Sequence, residues 1–374
     1  MKRKTVFVGL SGGVDSSVAA ALLKEQGFNV IGVHLKCWNI DGCAAQDAED
    51  ARRAAETLQI PFYVFDFEQE YRDRVVQYMV DGYKKGITPN PDVMCNQEIK
   101  FGLFYKRAMD LGADFVATGH YVKLVRGHRK TMQPAWHIDS QCPANCALTE
   151  NKHAYALYAA RDKDKDQSYF LWTLKQKQLA HCLFPLGDLI KKTDVRRLAK
   201  KYKLPNAEKK DSQGICFLGQ VSLPEFLGDF IPRRKGAIVN VAGERVGEHQ
   251  GAYYYTIGQR RGLGVGGSPV PLYVSDKNVK KNTITVAPEG DESLMRKEIR
   301  LSDVNRLTKI PSAVWVRIRY RQPLFKAKMT GSKIVFDKRQ KFVAPGQSAV
   351  LYSLREDLPA GRQVLGGGII TSAS

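Results

Sequence analysis

Acidic residues are scarce in this 374-residue chain. It has 38 Asp and Glu against 58 Lys and Arg, which leaves a formal net charge of +20. Such an imbalance favours a polyanionic partner, most simply a nucleic acid. A basic surface that is merely solvated is the alternative, and charge alone does not decide between the two. The hydrophobic fraction of 43% excludes wholesale disorder.

Long hydrophobic runs are absent as well. No stretch approaches the roughly 18 apolar residues of a membrane-crossing helix. The short apolar run after Lys4 ends at once in Ser11-Gly12-Gly13, which predicts a first strand entering a tight turn rather than a signal peptide. We therefore expect no membrane span and a cytoplasmic protein.

Cysteines are few, odd in number and scattered, which argues against a secreted disulfide scaffold. The seven are Cys37, Cys43, Cys95, Cys142, Cys146, Cys182 and Cys216. The Cys-x-x-x-Cys spacing of 142–146 is poor for a zinc ribbon, so we predict no metal ion bound by these residues. The cysteines predicted to be structural are Cys37, Cys43 and Cys182.

Strand and helix patterns alternate through the first part of the chain, which predicts an α/β fold with a doubly wound parallel sheet. The predicted strands are 5–9, 30–35, 62–65 and 114–118, and the predicted helices are 16–26, 45–58, 69–83, 96–109 and 193–203, the last capped by Thr193. Residues 122–162 show no clear pattern. After residue 232 short β-branched segments, 252–257 among them, predict a small linking domain and then a β-barrel. The predicted domains are 1–231, 232–276 and 277–374.

A glycine-rich turn joins the first strand to the first helix. Its sequence is Gly9-Leu10-Ser11-Gly12-Gly13-Val14-Asp15-Ser16. Adjacent glycines bring backbone amides close to an anion, and the following helix adds the positive end of its dipole. No Gly-Lys-Ser/Thr follows, and the dinucleotide Gly-x-Gly-x-x-Gly spacing is missing. The turn therefore predicts a phosphate or pyrophosphate site, against the alternative of an ordinary strand–turn–helix corner.

Two cysteines stand in marked contexts. Cys95 follows Asn90-Pro91-Asp92 where a helix opens, so the helix dipole should favour its thiolate, and Asp92 could move protons. A Pro-Asp helix cap with a buried cysteine is the alternative. Cys216, in Gly-Ile-Cys-Phe, is a weaker signal, and alone it is more typical of a core cysteine.

The motifs taken together resemble the tRNA-specific 2-thiouridylases of the PP-loop ATP pyrophosphatase superfamily. They are the glycine turn, Asn90-Pro-Asp-x-x-Cys95-Asn, Ala117-Thr-Gly-His-Tyr121, Lys165-Asp-Gln-Ser-Tyr-Phe-Leu171, Gly-Ile-Cys216-Phe and Ala344-Pro-Gly-Gln-Ser348. They span nearly the whole chain in order. The resemblance implies that ATP adenylates the wobble uridine carbonyl oxygen, that a persulfide on Cys216 delivers sulfur, and that Cys95 is the second catalytic thiol, with Asp92 handling protons.

The resemblance also implies cofactors, partners and contacts. Expected are ATP, Mg²⁺, tRNA and a protein that donates persulfide sulfur. The implied ATP contacts are Gly9, Leu10, Ser11, Gly12, Gly13, Val14, Asp15, Ser16, Leu35 and Gly119. The implied tRNA or target-base contacts are Asn90, Pro91, Asp92, His120, Lys165, Asp166, Gln167, Arg319, Tyr320 and Gln347.

Basic residues recur in the second half of the chain. Period-two alternation would place Trp315, Arg317, Arg319 and Arg321 on one face of a strand, a stripe suited to a phosphate backbone and a stacked base. An ordinary exposed barrel strand is the alternative. The helix face 196–201 and the clusters 233–235 and 260–261 would widen a basic footprint.

Two rival functions remain open at this point. One is a different PP-loop tRNA enzyme, of the 4-thiouridine or lysidine type, which would not need both cysteines in these contexts. The other is a non-catalytic basic RNA-binding protein with an idle nucleotide loop.

A basic footprint predicts salt-dependent binding. Replacing Arg233 or Arg234 with Ala should weaken tRNA binding and lower the slope of log K against log salt concentration by about one, because one fewer counterion is released. Filter binding at several KCl concentrations measures both quantities. A wild-type affinity that does not change with salt would contradict the footprint.

Overall fold

The computed structural model describes residues 3–38, 43–128, 131–134, 154–210, 221–266, 268–354 and 361–374. Within them, a parallel sheet of order β3-β2-β1-β4-β8 forms the N-terminal part, as predicted, and β5, β6 and β7 form a small antiparallel sheet. The strands are β1 Thr5–Gly9, β2 Asn29–Lys36, β3 Phe62–Asp66, β4 Phe115–Ala117, β5 Val122–His128, β6 Thr131–Pro134, β7 Ala154–Ala159 and β8 Cys182–Leu183.

Helices cover both faces of the parallel sheet. The first two are α1, Val14–Glu25, and α2, Cys43–Thr57. Two longer helices continue through π-type turns: Glu68–Tyr71, Arg72–Val76 and Gln77–Lys84 form one, and Pro91–Cys95, Asn96–Phe104 and Tyr105–Asp110 the other. The shorter ones are Ser168–Phe170, Gln176–Leu179, Lys191–Val195 with Arg196–Lys201, Leu223–Gly228, Ala252–Tyr254 and Glu292–Leu294.

Two hydrophobic layers sandwich the parallel sheet because successive side chains of a strand point to opposite faces. Along β1, Val6 and Val8 pack with α1, whereas Phe7 packs on the other side with Val33 and Phe104. All of these residues are buried. The sheet therefore fixes β1 and its loop at the centre of the domain.

The strand order places a switch point between β1 and β4. From β1 the chain adds β2 and β3 on one side, and β4 and β8 lie on the other. In parallel sheets, ligands bind outside the carboxyl ends of the strands at such a point. The loops that leave β1 and β4 are therefore the walls of the expected site.

A second sheet and a closed barrel complete the chain. The sheet has the order β10-β9-β12-β11, and the barrel has the order β13-β16-β15-β14-β17-β18, which confirms the predicted C-terminal barrel. The strands are β9 Gly236–Asn240, β10 Arg245–His249, β11 Leu272–Asn278, β12 Thr283–Pro288, β13 Met295–Arg306, β14 Ala313–Arg317, β15 Phe325–Thr330, β16 Lys333–Lys341, β17 Ser348–Tyr352 and β18 Val364–Ala373. The predicted boundary at 276 falls within β11.

Two local predictions were wrong, and a segment without a clear sequence pattern contains strands. The helix predicted from residue 193 begins at Lys191, and the Asp194 carboxylate, not Thr193, accepts the Ile190 amide at 2.9 Å. Residues 122–128 and 154–159 form paired strands. The strand expected at 252–257 is instead the 3-10 turn Ala252–Tyr254, because Gly251 adopts a φ of 144° just before it. No helix in the described part of the chain is both long and apolar enough to cross a bilayer.

Candidate active site

The glycine turn lies between β1 and α1 as the sequence predicts. Gly13 is the N-cap of α1, and within the described residues no side chain caps the helix, so its first amides are available to another acceptor. Gly12 has a φ of +74°, and a Cβ there would lie 2.4 Å from the Asp47 carbonyl oxygen. Ser16 Oγ accepts from the Ser11 amide at 3.1 Å, which tightens the turn. The geometry suits a phosphate group.

The loop after β4 forms the opposite wall. A Cβ on Gly119 would lie 2.6 Å from the Ser16 nitrogen, so only glycine lets this loop approach the first turn of α1. His120 is buried, with Nδ1 2.7 Å from Thr118 Oγ1. Burial holds the pKa of His120 well below its ordinary value, so the ring is neutral.

Asp15 is held at both carboxylate oxygens. The Tyr121 hydroxyl donates to Oδ1 at 2.7 Å, and the Lys191 ammonium donates to Oδ2 at 2.6 Å. The Lys191 side chain is only 6% exposed. This buried ammonium balances the charge of the Asp15 carboxylate beside the glycine turn.

Sequence reasoning missed these two partners and a third residue, His34. Tyr121 ends the motif Ala117-Thr-Gly-His-Tyr121, but its neighbours in sequence indicate no role for it. Lys191 lies 176 residues from Asp15 and looks like any surface lysine in the sequence. His34 is buried, and its Nδ1 lies 3.0 Å from the Leu10 carbonyl oxygen, which orients the turn from below. Desolvation lowers the pKa of His34.

One cavity of about 320 Å³ brings the predicted ATP and thiol sites together. This volume suits a small-molecule ligand. The predicted site residues that line it are Gly9, Leu10, Ser11, Asp15, Ser16, Leu35, Cys95, Gly119, His120 and Gln167. Cys37, predicted to be structural, lines it too. Gly12, Gly13 and Val14 belong to the same turn but are not among its lining residues.

Cys95 lies one turn inside its helix rather than at the very start. The helix begins at Pro91, and the Asn90 side chain caps it by accepting from the Val93 amide at 3.2 Å. Cys95 is 4% exposed, and burial raises the pKa of its thiol, although the charge of Lys100 acts the other way. The expected thiolate at a helix N-terminus is therefore not the resting form, because desolvation outweighs the dipole.

Several predicted site residues contact other parts of the protein. Asp166 is buried and accepts from Arg317 Nη1 at 2.9 Å. Arg319 donates to the Ile257 carbonyl at 2.5 Å, and Tyr320 packs on a phenylalanine ring. Gln347 donates to the Thr88 carbonyl at 3.0 Å. These contacts position the loops around the cavity.

The predicted basic stripe is not a continuous solvent-exposed face. β14 ends at Arg317, and Arg321 has a φ of 64°, so the alternation stops. Arg317 and Arg319 turn toward protein partners, as described above. The prediction was wrong because the side chains satisfy buried acceptors that the local sequence does not show.

Cys216, Cys142 and Cys146 lie outside the described residues. Among the described residues, no group of three or more His, Cys, Asp or Glu side chains is arranged to hold a metal ion. Arg362, two residues before β18, is bound to β7: the Ala159 amide donates to the Arg362 carbonyl at 2.9 Å.

Three family profiles match consecutive parts of the chain. They are described as the tRNA methyl transferase HUP domain, residues 4–220, the tRNA methyl transferase PRC-barrel domain, residues 224–288, and the aminomethyltransferase beta-barrel domain, residues 296–370. Their order matches the parallel-sheet domain, the middle sheet and the barrel.

Curated relatives match over almost the full length. A tRNA-specific 2-thiouridylase MnmA of Streptococcus thermophilus (strain ATCC BAA-491 / LMD-9) is 42% identical over 98% of this chain and 95% of its own. The chain belongs to the tRNA-specific 2-thiouridylase family. MnmA 2 of Geobacillus kaustophilus is 41% identical over 98% of this chain and 94% of its own. A solved 4-thiouridine synthetase–RNA complex with bound ATP matches at a TM-score of 0.33 and 14% identity, covering 61% of this chain and 50% of that one, too low a likeness to bear on function.

Gly119 tests whether the two walls must touch. Gly119→Ala should displace the first turn of α1, because the new Cβ meets backbone rather than a movable side chain. We expect ATP affinity to fall about tenfold or more and unfolding stability to drop by about 1–3 kcal/mol. Calorimetric titration with ATP and thermal unfolding measure these. Gly266→Ala, where a Cβ has open space, is the matched control; equal behaviour of the two variants would contradict the close approach.

The raised pKa of Cys95 predicts slow alkylation. Because the thiolate is the minor form near neutral pH, iodoacetamide should modify Cys95 slowly there, and the rate should still rise beyond the ordinary thiol pKa of about 9. Peptide mass spectrometry separates Cys95 from the other cysteines, and Cys95→Ser confirms the assignment. A rate that levels off below pH 9 would show an activated thiol instead.

Proposed function

We propose that this chain is an ATP-dependent tRNA-uridine 2-sulfurtransferase that thiolates the wobble uridine and releases AMP and pyrophosphate. Family membership over nearly the whole chain supports this activity. The observation that carries it is the single cavity shared by the phosphate turn and Cys95. Nucleotide activation and sulfur chemistry need adjacent sites, because the activated base must meet a thiol before water attacks it.

ATP fits the anion-binding turn. Its phosphates would lie against the amides at the start of α1 and the hydroxyls of Ser11 and Ser16, with the Lys191 ammonium close by. Leu35 and Gly119 line the same cavity and would face the nucleoside. The chemistry of these donors matches a polyanion.

Mg²⁺ fits the same place through Asp15. Mg²⁺ is commonly bound by one or two carboxylates together with substrate phosphates and waters, so a single aspartate beside the turn is sufficient. When bound, the ion would neutralise charge on the departing pyrophosphate. Asp15 would hold it, and Lys191 shows that this carboxylate already has a cation partner in its absence.

Adenylation is proposed as the first step. The uridine O2 attacks the α-phosphorus of ATP, the bond to pyrophosphate breaks, and the carbonyl oxygen becomes a good leaving group as AMP. The terminal sulfur of a Cys216 persulfide then bonds to C2, and AMP departs. Cys95 attacks the Cys216 sulfur of the adduct, so the S–S bond breaks, the sulfur stays on C2, and a Cys95–Cys216 disulfide remains for reduction by an external thiol.

The surroundings of Cys95 support a place for the base. Asn90, Pro91 and Asp92 form the first turn of the helix that carries Cys95, so groups that contact the uridine there would hold it near the thiol. Asp92 is the proposed proton handler, accepting the thiol proton of Cys95, whose raised pKa makes such help necessary. His120, neutral and buried in the cavity wall, would contact the base without adding charge.

The proposed macromolecular partners are tRNA and a protein that donates sulfur. The wobble uridine belongs to tRNA, and the net charge of +20 supports a nucleic-acid substrate. Lys165, Gln167 and Tyr320 are proposed to face the tRNA near the cavity mouth. Asp166, Arg319 and Gln347 would affect tRNA binding indirectly, by holding the loops around the cavity through their contacts within the protein. A protein that carries persulfide sulfur is the proposed donor, and the cytoplasm is the proposed location.

Nucleoside analysis tests the whole reaction. Protein, tRNA, ATP, Mg²⁺ and a persulfide donor should give 2-thiouridine and one AMP per product, seen by mass spectrometry and nucleotide chromatography. Cys95→Ser and Cys216→Ser should lower 2-thiouridine at least a hundredfold while AMP formation persists, because adenylation precedes the thiol steps. Cys182→Ser, a buried thiol away from the cavity, is the control.

The rival functions give different results in that assay. A 4-thiouridine or lysidine enzyme would form a different modified nucleoside. A non-catalytic RNA-binding protein would release no AMP when tRNA is added. Full thiolation by both cysteine variants would overturn the two-thiol reaction.

A further inference from the structure

We propose that a chain of hydrogen bonds running from the C-terminal barrel positions the aspartate of the phosphate turn. The chain begins at Arg317 on β14 and ends at Asp15. It makes Arg317 a positioning residue for ATP, although it belongs to the part of the protein furthest in sequence from the turn. The inference rests on the proposed function, because ATP is the ligand assigned to the turn.

The barrel end of this chain is a buried ion pair. Arg317 Nη1 donates to Asp166 Oδ2 at 2.9 Å, and the two side chains are 14% and 4% exposed. The Arg317 guanidinium also lies 5.4 Å from the centre of the Tyr352 ring. A paired charge at this depth is held firmly in one geometry, because separation would leave either partner desolvated and uncompensated.

The second link shapes the loop that carries Asp166. Its other oxygen, Oδ1, accepts from the Ala160 amide at 3.2 Å and the Ser168 amide at 3.1 Å. Arg317 therefore fixes a carboxylate around which residues 160–168 fold. Gln167 is carried on this loop into the cavity wall.

The third link joins that loop to the loop after β4. The Gln167 amide donates to the Tyr121 carbonyl at 2.9 Å, and the Tyr121 amide donates to Gln167 Oε1 at 3.0 Å. Two bonds in opposite directions fix the Tyr121 backbone in place. The Tyr121 side chain is 1% exposed, so its hydroxyl has little freedom to move.

The last link reaches the phosphate turn. The Tyr121 hydroxyl donates to Asp15 Oδ1 at 2.7 Å, while Lys191 holds Oδ2. A neutral donor on Oδ1 orients the carboxylate without cancelling its charge, so Oδ2 stays directed at the Lys191 ammonium. Loss of the Tyr121 bond would let the carboxylate rotate, and the nucleotide would lose a preorganised partner.

A separate barrel contact supports the thiol half of the site. Gln347 donates to the Thr88 and Pro89 carbonyls, directly before the capped turn that leads to Cys95. The barrel therefore reaches the two halves through different residues. Loss of the Arg317 contacts should therefore change the KM for ATP and leave the alkylation rate of Cys95 unchanged.

Kinetics of paired variants test the chain. Tyr121→Phe removes one hydroxyl and should raise the KM for ATP about tenfold with a smaller fall in kcat. Arg317→Met should also raise the KM for ATP more than it lowers kcat. Arg317→Lys should recover part of the lost kcat/KM. Arg300→Met, an exposed barrel arginine on β13, should match the wild type.

A double variant separates one chain from two independent defects. If both residues act through Asp15, Arg317→Met with Tyr121→Phe should lower kcat/KM for ATP about as far as the worse single variant. Losses that multiply would overturn the proposal. So would an Arg317→Met protein with altered Cys95 alkylation but unchanged ATP parameters. If Arg317→Met fails to fold, Tyr121→Phe with Gln167→Ala gives the same cycle with the ion pair intact.

Failure of the proposed function would look different. ATP affinity measured by calorimetry needs no thiolation, so Tyr121→Phe can weaken ATP binding even if the product were not 2-thiouridine. Wild-type protein that binds no ATP would defeat the proposed function, and with it this inference. If the wild-type protein binds ATP, and Tyr121→Phe and Arg317→Met bind it with the same affinity, only this inference is defeated.

Discussion

The site depends on the close approach of two loops at the switch point of a parallel sheet. Because β1 and β4 are neighbours, the loops that leave them meet beyond their carboxyl ends, and residue 119 packs against the first turn of α1 with no room for a side chain. That contact keeps the helix amides and Asp15 at the edge of the cavity. Tyr121 and Lys191 hold the Asp15 carboxylate beside this contact.

The barrel contributes to the site although none of its described residues lines the cavity. Barrel residues reach the catalytic domain through long-range bonds, among them Trp172 Nε1 to Ser348 Oγ at 3.0 Å and Gln347 to Thr88. In the proposed reaction, tRNA must be held while the base is activated in a cavity built mostly by the first domain. A rigid connection between the two parts serves that need, because a small displacement of a reacting base is costly to rate.

Sequence patterns predicted the features that depend on neighbours along the chain. The glycine turn and the alternation of strands and helices are local, so spacing and residue type were sufficient. Lys191 and Arg317 were not assigned their partners because these lie 176 and 151 residues away. A basic residue that satisfies a buried carboxylate cannot be distinguished, from its neighbours alone, from one that faces solvent.

The expectation that the helix dipole favours the Cys95 thiolate does not hold, for a physical reason that bears on the proposed reaction. A helix dipole acts on groups at the very end of a helix, whereas Cys95 lies a turn inside it among hydrophobic residues, where desolvation dominates. A protonated thiol does not attack an electrophile until a base removes its proton. In the proposed reaction Cys95 is needed only after the uridine has been activated and sulfur has been added. In the proposed reaction, burial disfavours the Cys95 thiolate, and Asp92, on the same helix, is the group that would accept its proton once the uridine is in place.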